Sequence, residues 1–175
     1  MVADRIPVER WYALYTKSRN EKKVKQALDE KGFRNYLPLE KRLKQWSDRK
    51  KWVEEPLIRS YIFVHCTEGN LQLALNTPGV VTVVRFEGKP APVQEDQIHT
   101  LQQLMEAEAD IEISAESFEK GELVEITEGR LKGLKGELQE QLNKYKVLIR
   151  LDVIQQNILV KINPARLRRI TEKFA

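Results

Sequence analysis

The chain has 175 residues, 41% of them hydrophobic and 32% charged, with a net charge of +4. That length suits one ordinary domain or two small ones, and the modest positive balance permits a nucleic-acid partner without requiring one. A single cysteine, Cys66, excludes an intrachain disulfide, and no apolar run reaches the roughly 18 residues of a membrane span or begins like a signal peptide, so a cytoplasmic protein with no membrane partner is expected.

In chain order, Arg10 to Thr16 alternates Trp11, Ala13 and Tyr15 with Tyr12 and Leu14, the period of a strand. A helix follows. Ser18 and Glu21 have capping-box spacing, Val24, Ala27 and Leu28 supply an apolar face, and Gly32 stands where a left-handed cap belongs. Phe33 to Pro38 reads as extended. The basic stretch Lys41 to Trp52 reads as a hairpin with Ser47-Asp48 at its tip. Arg59 to Cys66 is a second strong strand, in which Cys66 reads as a small buried residue rather than a reactive thiol. Asn70 can cap a short helix that Thr77-Pro78-Gly79 ends. Val80 to Phe86 is a third strand, Gly88 to Pro92 a loop, and a helix from about Glu95 presents Ile98, Leu101, Leu104 and Met105 on one face.

This order of elements is that of a ferredoxin-like α+β sandwich, expected over residues 8–108. The acidic stretch over 109–119 reads as a linker. From 120 to 172 the pattern becomes short β-runs, Leu123-Val124-Glu125-Ile126, Tyr145 to Leu151 and Ile158 to Ile162, punctuated by Gly129, Gly133 and Gly136. Such a stretch suits a small SH3-like barrel. A competing signal exists: Leu138, Leu142, Tyr145 and Ile149 also fall at helical spacing. The barrel is the expectation because glycine disfavours helix interiors by about 1 kcal/mol.

Catalytic constellations are poor. His65 and His99 are the only histidines and show no metal-ligand spacing, and no glycine-rich phosphate loop occurs. No enzyme, cofactor or metal is expected. The cations carry more weight. Lys17, Arg19, Lys22, Lys23 and Lys25 crowd the start of the first helix, where they oppose the helix dipole, so anion binding competes evenly with a solvated lysine face. Lys41, Arg42, Lys44, Arg49, Lys50 and Lys51 are interleaved with Trp46 and Trp52, which can stack on bases. Packing onto the sheet is the competing reading, the stronger one for Trp52, which lies farther from the tip. Tyr15, Tyr61 and Phe63 repeat on strand faces near Leu57 and Ile58, a grouping that points to an apolar interface, with core packing the alternative for any single member.

These residues resemble a family. Arg10 to Lys17, Glu55 to Val64, Asn76-Thr77-Pro78-Gly79-Val80, Val84-Arg85-Phe86 and Pro90 to Val93 resemble, in order, the N-terminal NGN domain of NusG-type elongation factors. Gly121 to Gly136 resembles a KOW motif. Within the family the Tyr15-Thr16-Lys17, Glu55-Pro56-Leu57 and Leu151 to Ile158 segments look more like specialised antiterminators of the RfaH and UpxY type than like housekeeping NusG. The resemblance implies a monomeric factor that grips the clamp helices of the largest RNA polymerase subunit with Tyr15, Leu57, Ile58, Tyr61, Phe63 and Ile98. It implies contact with the non-template DNA strand through Lys17, Lys23 and Thr77, to which the basic hairpin would add Trp46, Arg49 and Lys50. It further implies recruitment of a small-subunit ribosomal protein or Rho through Leu134 and Ile154 of the KOW barrel. Ile58-Arg59 replaces the commoner Phe-Pro, and Pro78 replaces an arginine found in RfaH. RfaH-like relatives can also hold the second domain as a helical hairpin, for which Glu55 and Lys146 would be a closing pair. A housekeeping NusG and a ribosome- or RNA-binding KOW protein are the alternative readings.

Overall fold

The computed structural model describes residues 7–141 and 144–171. The chain forms two compact units, one ending at Ile98 and the next beginning at His99.

In the first unit, β1 (Glu9–Thr16) leads into α1 (Glu21–Glu30) and β2 (Arg34–Tyr36), then β3 (Leu39–Gln45), β4 (Lys50–Pro56), β5 (Tyr61–Thr67), α2 (Glu68–Leu75) and β6 (Val80–Val83). The main sheet has the order β2-β5-β1-β6, the ferredoxin-like arrangement in which the first and third sheet strands lie side by side. β5 runs antiparallel to β1 with Ala13 opposite Phe63 and Tyr15 opposite Tyr61. Alternation then assigns the faces. Tyr12, Leu14, Ile62, Val64 and Cys66 join Val24 and Leu28 of α1 and Leu71 and Ala74 of α2 in one buried cluster. Trp11, Ala13, Tyr15, Tyr61 and Phe63 point to the other face.

Local chemistry explains the helix ends, with two corrections. Ser18 and Glu21 do not make a capping box: Asn20 is the N-cap and gives no side-chain cap bond. The C-terminus is as expected. Gly32 adopts φ +77°, its N–H reaches the Asp29 carbonyl and the Phe33 N–H reaches that of Leu28, closing a Schellman motif. For α2 the cap is Thr67, whose hydroxyl accepts the Asn70 N–H at 3.3 Å, so Asn70 belongs to the first turn. An extended Thr with ψ 154° can turn its oxygen onto that turn, which Asn70, already helical, cannot.

The expected strand over Val80 to Phe86 is divided. β6 stays in the main sheet, while β7 (Arg85–Phe86) folds onto β8 (Lys89–Pro90) as a hairpin. β9 (Pro92–Val93) returns to pair with β1, so the stretch read as a loop carries short strands. α3 (Glu95–Glu106) buries Ile98, Leu101 and Leu104.

The second unit is a six-stranded antiparallel sheet, in the order β10-β14-β13-β12-β11-β15, as expected of the barrel. Its strands are β10 (Ile111–Ser114), β11 (Leu123–Ile126), β12 (Lys135–Gln141), β13 (Lys144–Leu151), β14 (Gln156–Lys161) and β15 (Leu167–Arg169). The segment read as a linker over 109–119 therefore holds a strand. Ile111 and Ile113 pair with Val160 and Ile158, and both isoleucines are half-buried, which is why an acidic segment orders here. The stretch with helical spacing is β12 and β13; Leu142 lies outside the described residues. Lys146 pairs with Glu112 at 2.8 Å, and Glu55 with Lys44, so neither serves the closing pair of a helical hairpin.

Candidate functional site

The sheet face of the first unit that bears Trp11, Ala13 and Phe63 is buried at those residues and opens at Tyr15, which is 40% exposed. Tyr15 and Tyr61 meet edge to face, with ring centroids 5.4 Å apart. They are directly opposite across β1 and β5, where cross-strand aromatic pairs are favoured. Burial, and then the neighbouring Tyr15, pushes the Tyr61 hydroxyl above its ordinary pKa. The pair presents a neutral aromatic surface.

Four of the residues expected beside these tyrosines are not at the surface. Leu57, Ile58, Phe63 and Ile98 are buried. Phe63 faces Ala13, the smallest side chain of β1, which leaves space for the ring to sink to 1% exposure. Leu57 is anchored by its N–H to the Pro38 carbonyl at 2.9 Å. Glu21 holds the next turn. Although carried by a helix start amid cations, it is 5% exposed and accepts the Ser60 N–H at 2.8 Å, fixing Ser60 at φ 64°. A capping box would give that carboxylate a partner in its own helix. A tie to a residue 39 positions away leaves no local signal.

The cations gather differently. Lys22 reaches the Glu54 carbonyl at 2.6 Å, bringing the start of α1 against the base of the β3–β4 hairpin. Ser18, Arg19, Glu21, Lys22, Lys44 and Arg59 are among the residues that line an open groove of about 570 Å³ there. Glu55 in the same groove binds Lys44, which holds its carboxyl below the usual range. Lys17 and Lys23 are exposed but do not line this groove. Thr77 is buried at 2% exposure, with its hydroxyl bonded by Lys31 at 3.0 Å, so it is a packing residue rather than a surface contact. It follows the C-terminus of α2, its N–H bonded to the Ala74 carbonyl at 3.1 Å.

The hairpin is a two-stranded sheet of its own, and all residues from 41 to 52 are exposed. Trp46 closes the tip, its N–H bonded to the Arg49 carbonyl and the Arg49 guanidinium 6.0 Å from its ring centre. Arg42 and Lys44 of β3 are neutralised by Glu40 and Glu55. Arg49, Lys50 and Lys51 form no ion pair among the described residues. Free positive charge is thus concentrated around an exposed indole. Trp52 does not pack onto the main sheet: it is 65% exposed, opposite Leu43 on the neighbouring strand.

In the second unit, Leu134 and Ile154 are buried at 3% and 5% exposure. Both fill the inside of the curled sheet, where a turn residue and a 3-10 residue supply the apolar ends that short strands lack. They are core members, not surface contacts.

A family profile described as "Transcription termination factor nusG" matches residues 9–102, more than half of the chain. The chain belongs to the NusG family. Along almost its whole length it is similar to the "Transcription termination/antitermination protein NusG" of Staphylococcus carnosus, 28% identical over 92% of this chain and 96% of that one. The protein of the same name from Halalkalibacterium halodurans is 27% identical over 91% and 98%. Among solved structures, one titled "Domain interaction in Thermotoga maritima NusG" shares the fold, with a TM-score of 0.55 and 20% identity over 93% of this chain and 98% of that chain. The chain is a NusG-like transcription termination/antitermination factor. Within that family frame, the NGN part carries the tyrosine pair and the basic hairpin, and the KOW part is the six-stranded sheet. Among the described residues no group of acidic, histidine or cysteine side chains is placed to hold a metal, and no helix is long and apolar enough to cross a membrane.

Proposed function

We propose that this NusG-family chain is a non-catalytic elongation factor that docks on the clamp helices of the largest RNA polymerase subunit through Tyr15 and Tyr61. The carrying observation is the edge-to-face pair, exposed at the open end of an otherwise buried sheet face. Rigid aromatic rings on a sheet give contact area at low entropic cost, which is the usual character of an interface anchor. Leu57, Ile58, Phe63 and Ile98 support this surface from within. The hairpin tip, with Trp46, Arg49 and Lys50, reaches the non-template DNA strand by stacking and charge, assisted by Lys17 and Lys23. Its action is on selected operons, with a recruiting role for the second unit.

The test is a binding titration against purified core polymerase. Tyr15→Ala combined with Tyr61→Ala should weaken binding by at least about 2 kcal/mol, near thirtyfold, with the fold intact by circular dichroism. Wild-type affinity in the folded double variant would remove the docking surface. Occupancy mapped across a genome distinguishes selected operons from general association.

A further inference from the structure

We infer that the first unit holds a small-molecule site, for a phosphate monoester with a flat apolar body, in the groove between the end of α1 and α2. The groove has a volume of about 610 Å³, within the usual range of ligand pockets. Its cationic and imidazole groups come from separate elements. Lys31 ends α1, Arg34 begins β2 and His65 lies near the end of β5.

Sheet register fixes the last two. Arg34 is opposite His65, and His65 is opposite Trp11, so the three make a row across β2, β5 and β1. The Trp11 and His65 ring centres are 5.0 Å apart, and the Arg34 guanidinium lies 5.2 Å from the Trp11 ring centre. Stacking of this kind holds a guanidinium in place and leaves its N–H edge for an anion. Lys31 bridges the two helices. Its ammonium donates to the Leu73 carbonyl at 3.2 Å and to the Thr77 hydroxyl at 3.0 Å, with one proton to spare.

Unused donors identify the ligand. Arg34 forms no ion pair, and the Asn70 side chain no hydrogen bond, among the described residues. Asn76 accepts from Gln72 at 3.4 Å, which leaves its own amide N–H groups. Glu9, the carboxylate of the lining, is 3.3 Å from His65 Nδ1 and so is engaged. Burial pushes the Cys66 thiol up to about 11, so no thiolate adds to it. A lining rich in free N–H groups calls for a ligand rich in acceptors. A phosphate offers more acceptor oxygens than a carboxylate, and takes both a guanidinium fork and an ammonium point charge. The groove is larger than a phosphate alone, and Phe33 and the exposed Leu73 give it an apolar side for a flat ring. Glu9 stands about 20 Å along β1 from Tyr15, at roughly 3.3 Å per residue. The site therefore goes beyond the polymerase-docking proposal and does not depend on it.

The experiment is titration of the isotope-labelled full chain with phenyl phosphate, followed by amide and indole magnetic resonance in phosphate-free buffer. Saturable shifts should gather at residues 31–34, 65–66 and 70–76 and at the Trp11 indole, while Tyr15 and Tyr61 stay in place. Inorganic phosphate and benzoate, each with one half of the recognised group, should bind at least about tenfold more weakly. Arg34→Gln, at an exposed position, should weaken phenyl phosphate binding at least about tenfold, and Arg34→Lys should weaken it less. Shifts that never saturate, or that gather at Arg49 and Lys50, would overturn the inference, as would unchanged affinity in folded Arg34→Gln. Benzoate binding as tightly as phenyl phosphate would overturn the assignment to phosphate. Inorganic phosphate binding as tightly would overturn the apolar body. Tyr15→Ala with Tyr61→Ala should keep the phenyl phosphate affinity, so this proposal and the docking proposal fail separately.

Discussion

Glu137 and Arg150 show how a single pair secures a segment that propensity leaves loose. The guanidinium donates to both carboxylate oxygens at 2.9 Å, and also to the Phe118 carbonyl at 3.1 Å. Glu137 in turn accepts the Gly121 N–H at 3.0 Å. Residues 118–121 are thereby tied to β12 and β13. Chiefly the Arg150 hydrogen bond, against the opposing effect of burial, holds the Glu137 carboxyl below the usual carboxylate range. A carboxyl depressed in the folded state stabilises the fold above its unfolded value, about 4.3, and loses that contribution as pH falls through the lower folded value. Denaturant titrations at a series of pH values should therefore show stability declining below about pH 4.5. Glu137→Gln should cost about 1–3 kcal/mol at neutral pH and make the acid decline shallower. Parallel acid limbs for the two proteins would assign the clasp no electrostatic role. At the same scale, Phe63→Ala should act on folding, at about 3–5 kcal/mol, because the ring is 1% exposed.

Among the elements, the ends of α1 and the close approach of β12 to β13 make different demands on glycine. Gly32 has φ +77° and open space where a Cβ would stand. Gly32→Ala should cost only the left-handed backbone term, about 1–2 kcal/mol. Gly136 has no positive φ to excuse it, but a Cβ there would lie 2.4 Å from a Val147 methyl and 2.7 Å from the Leu148 carbonyl oxygen. The backbone oxygen cannot move without breaking the ladder. Gly136→Ala should lower the thermal midpoint more than Gly32→Ala does, and the reverse order in a calorimetric scan would contradict this account of the barrel. The same strands resolve the helical spacing of Leu138, Tyr145 and Ile149. Val147 lies opposite Leu138 on one side and Val160 on the other, so β13 is paired along both edges. Those non-local pairs outweigh the helix formers in the segment.

For the whole molecule, the charge distribution matters more than the net +4. Arg49, Lys50 and Lys51, at the tip and the start of β4, form no ion pair among the described residues, whereas Arg42 and Lys44 of β3 do. Arg49→Glu with Lys50→Glu should reduce binding of single-stranded DNA by the polymerase-bound factor and flatten its salt dependence. Trp46→Ala should weaken it by about 1–3 kcal/mol with the salt slope unchanged, because stacking releases no counterions. A salt slope that changes equally in both variants would contradict separate stacking and charge contributions.

The sequence by itself determined the elements with strong local signals. Alternation in Trp11 to Tyr15, the Gly32 cap, the hairpin around Ser47-Asp48 and the β-branched runs of the second unit each depend on neighbours a few residues away. Ordered together, they sufficed for the two-part α+β fold and the family. Tertiary structure decided which side chains of the site are reachable. Tyr15 and Phe63 lie on one sheet face, yet one ring is open and the other sinks against Ala13. Thr77, Leu134 and Ile154 look as available in the sequence as Lys17 does, and burial removes them from the surface. The carboxylate of Glu21 finds Ser60, and the acidic stretch near Glu112 finds β14. Exposure and pairing of this kind depend on partners 30 to 50 positions distant, roughly, and a side-chain period of two residues cannot encode which face of a sheet another layer will cover.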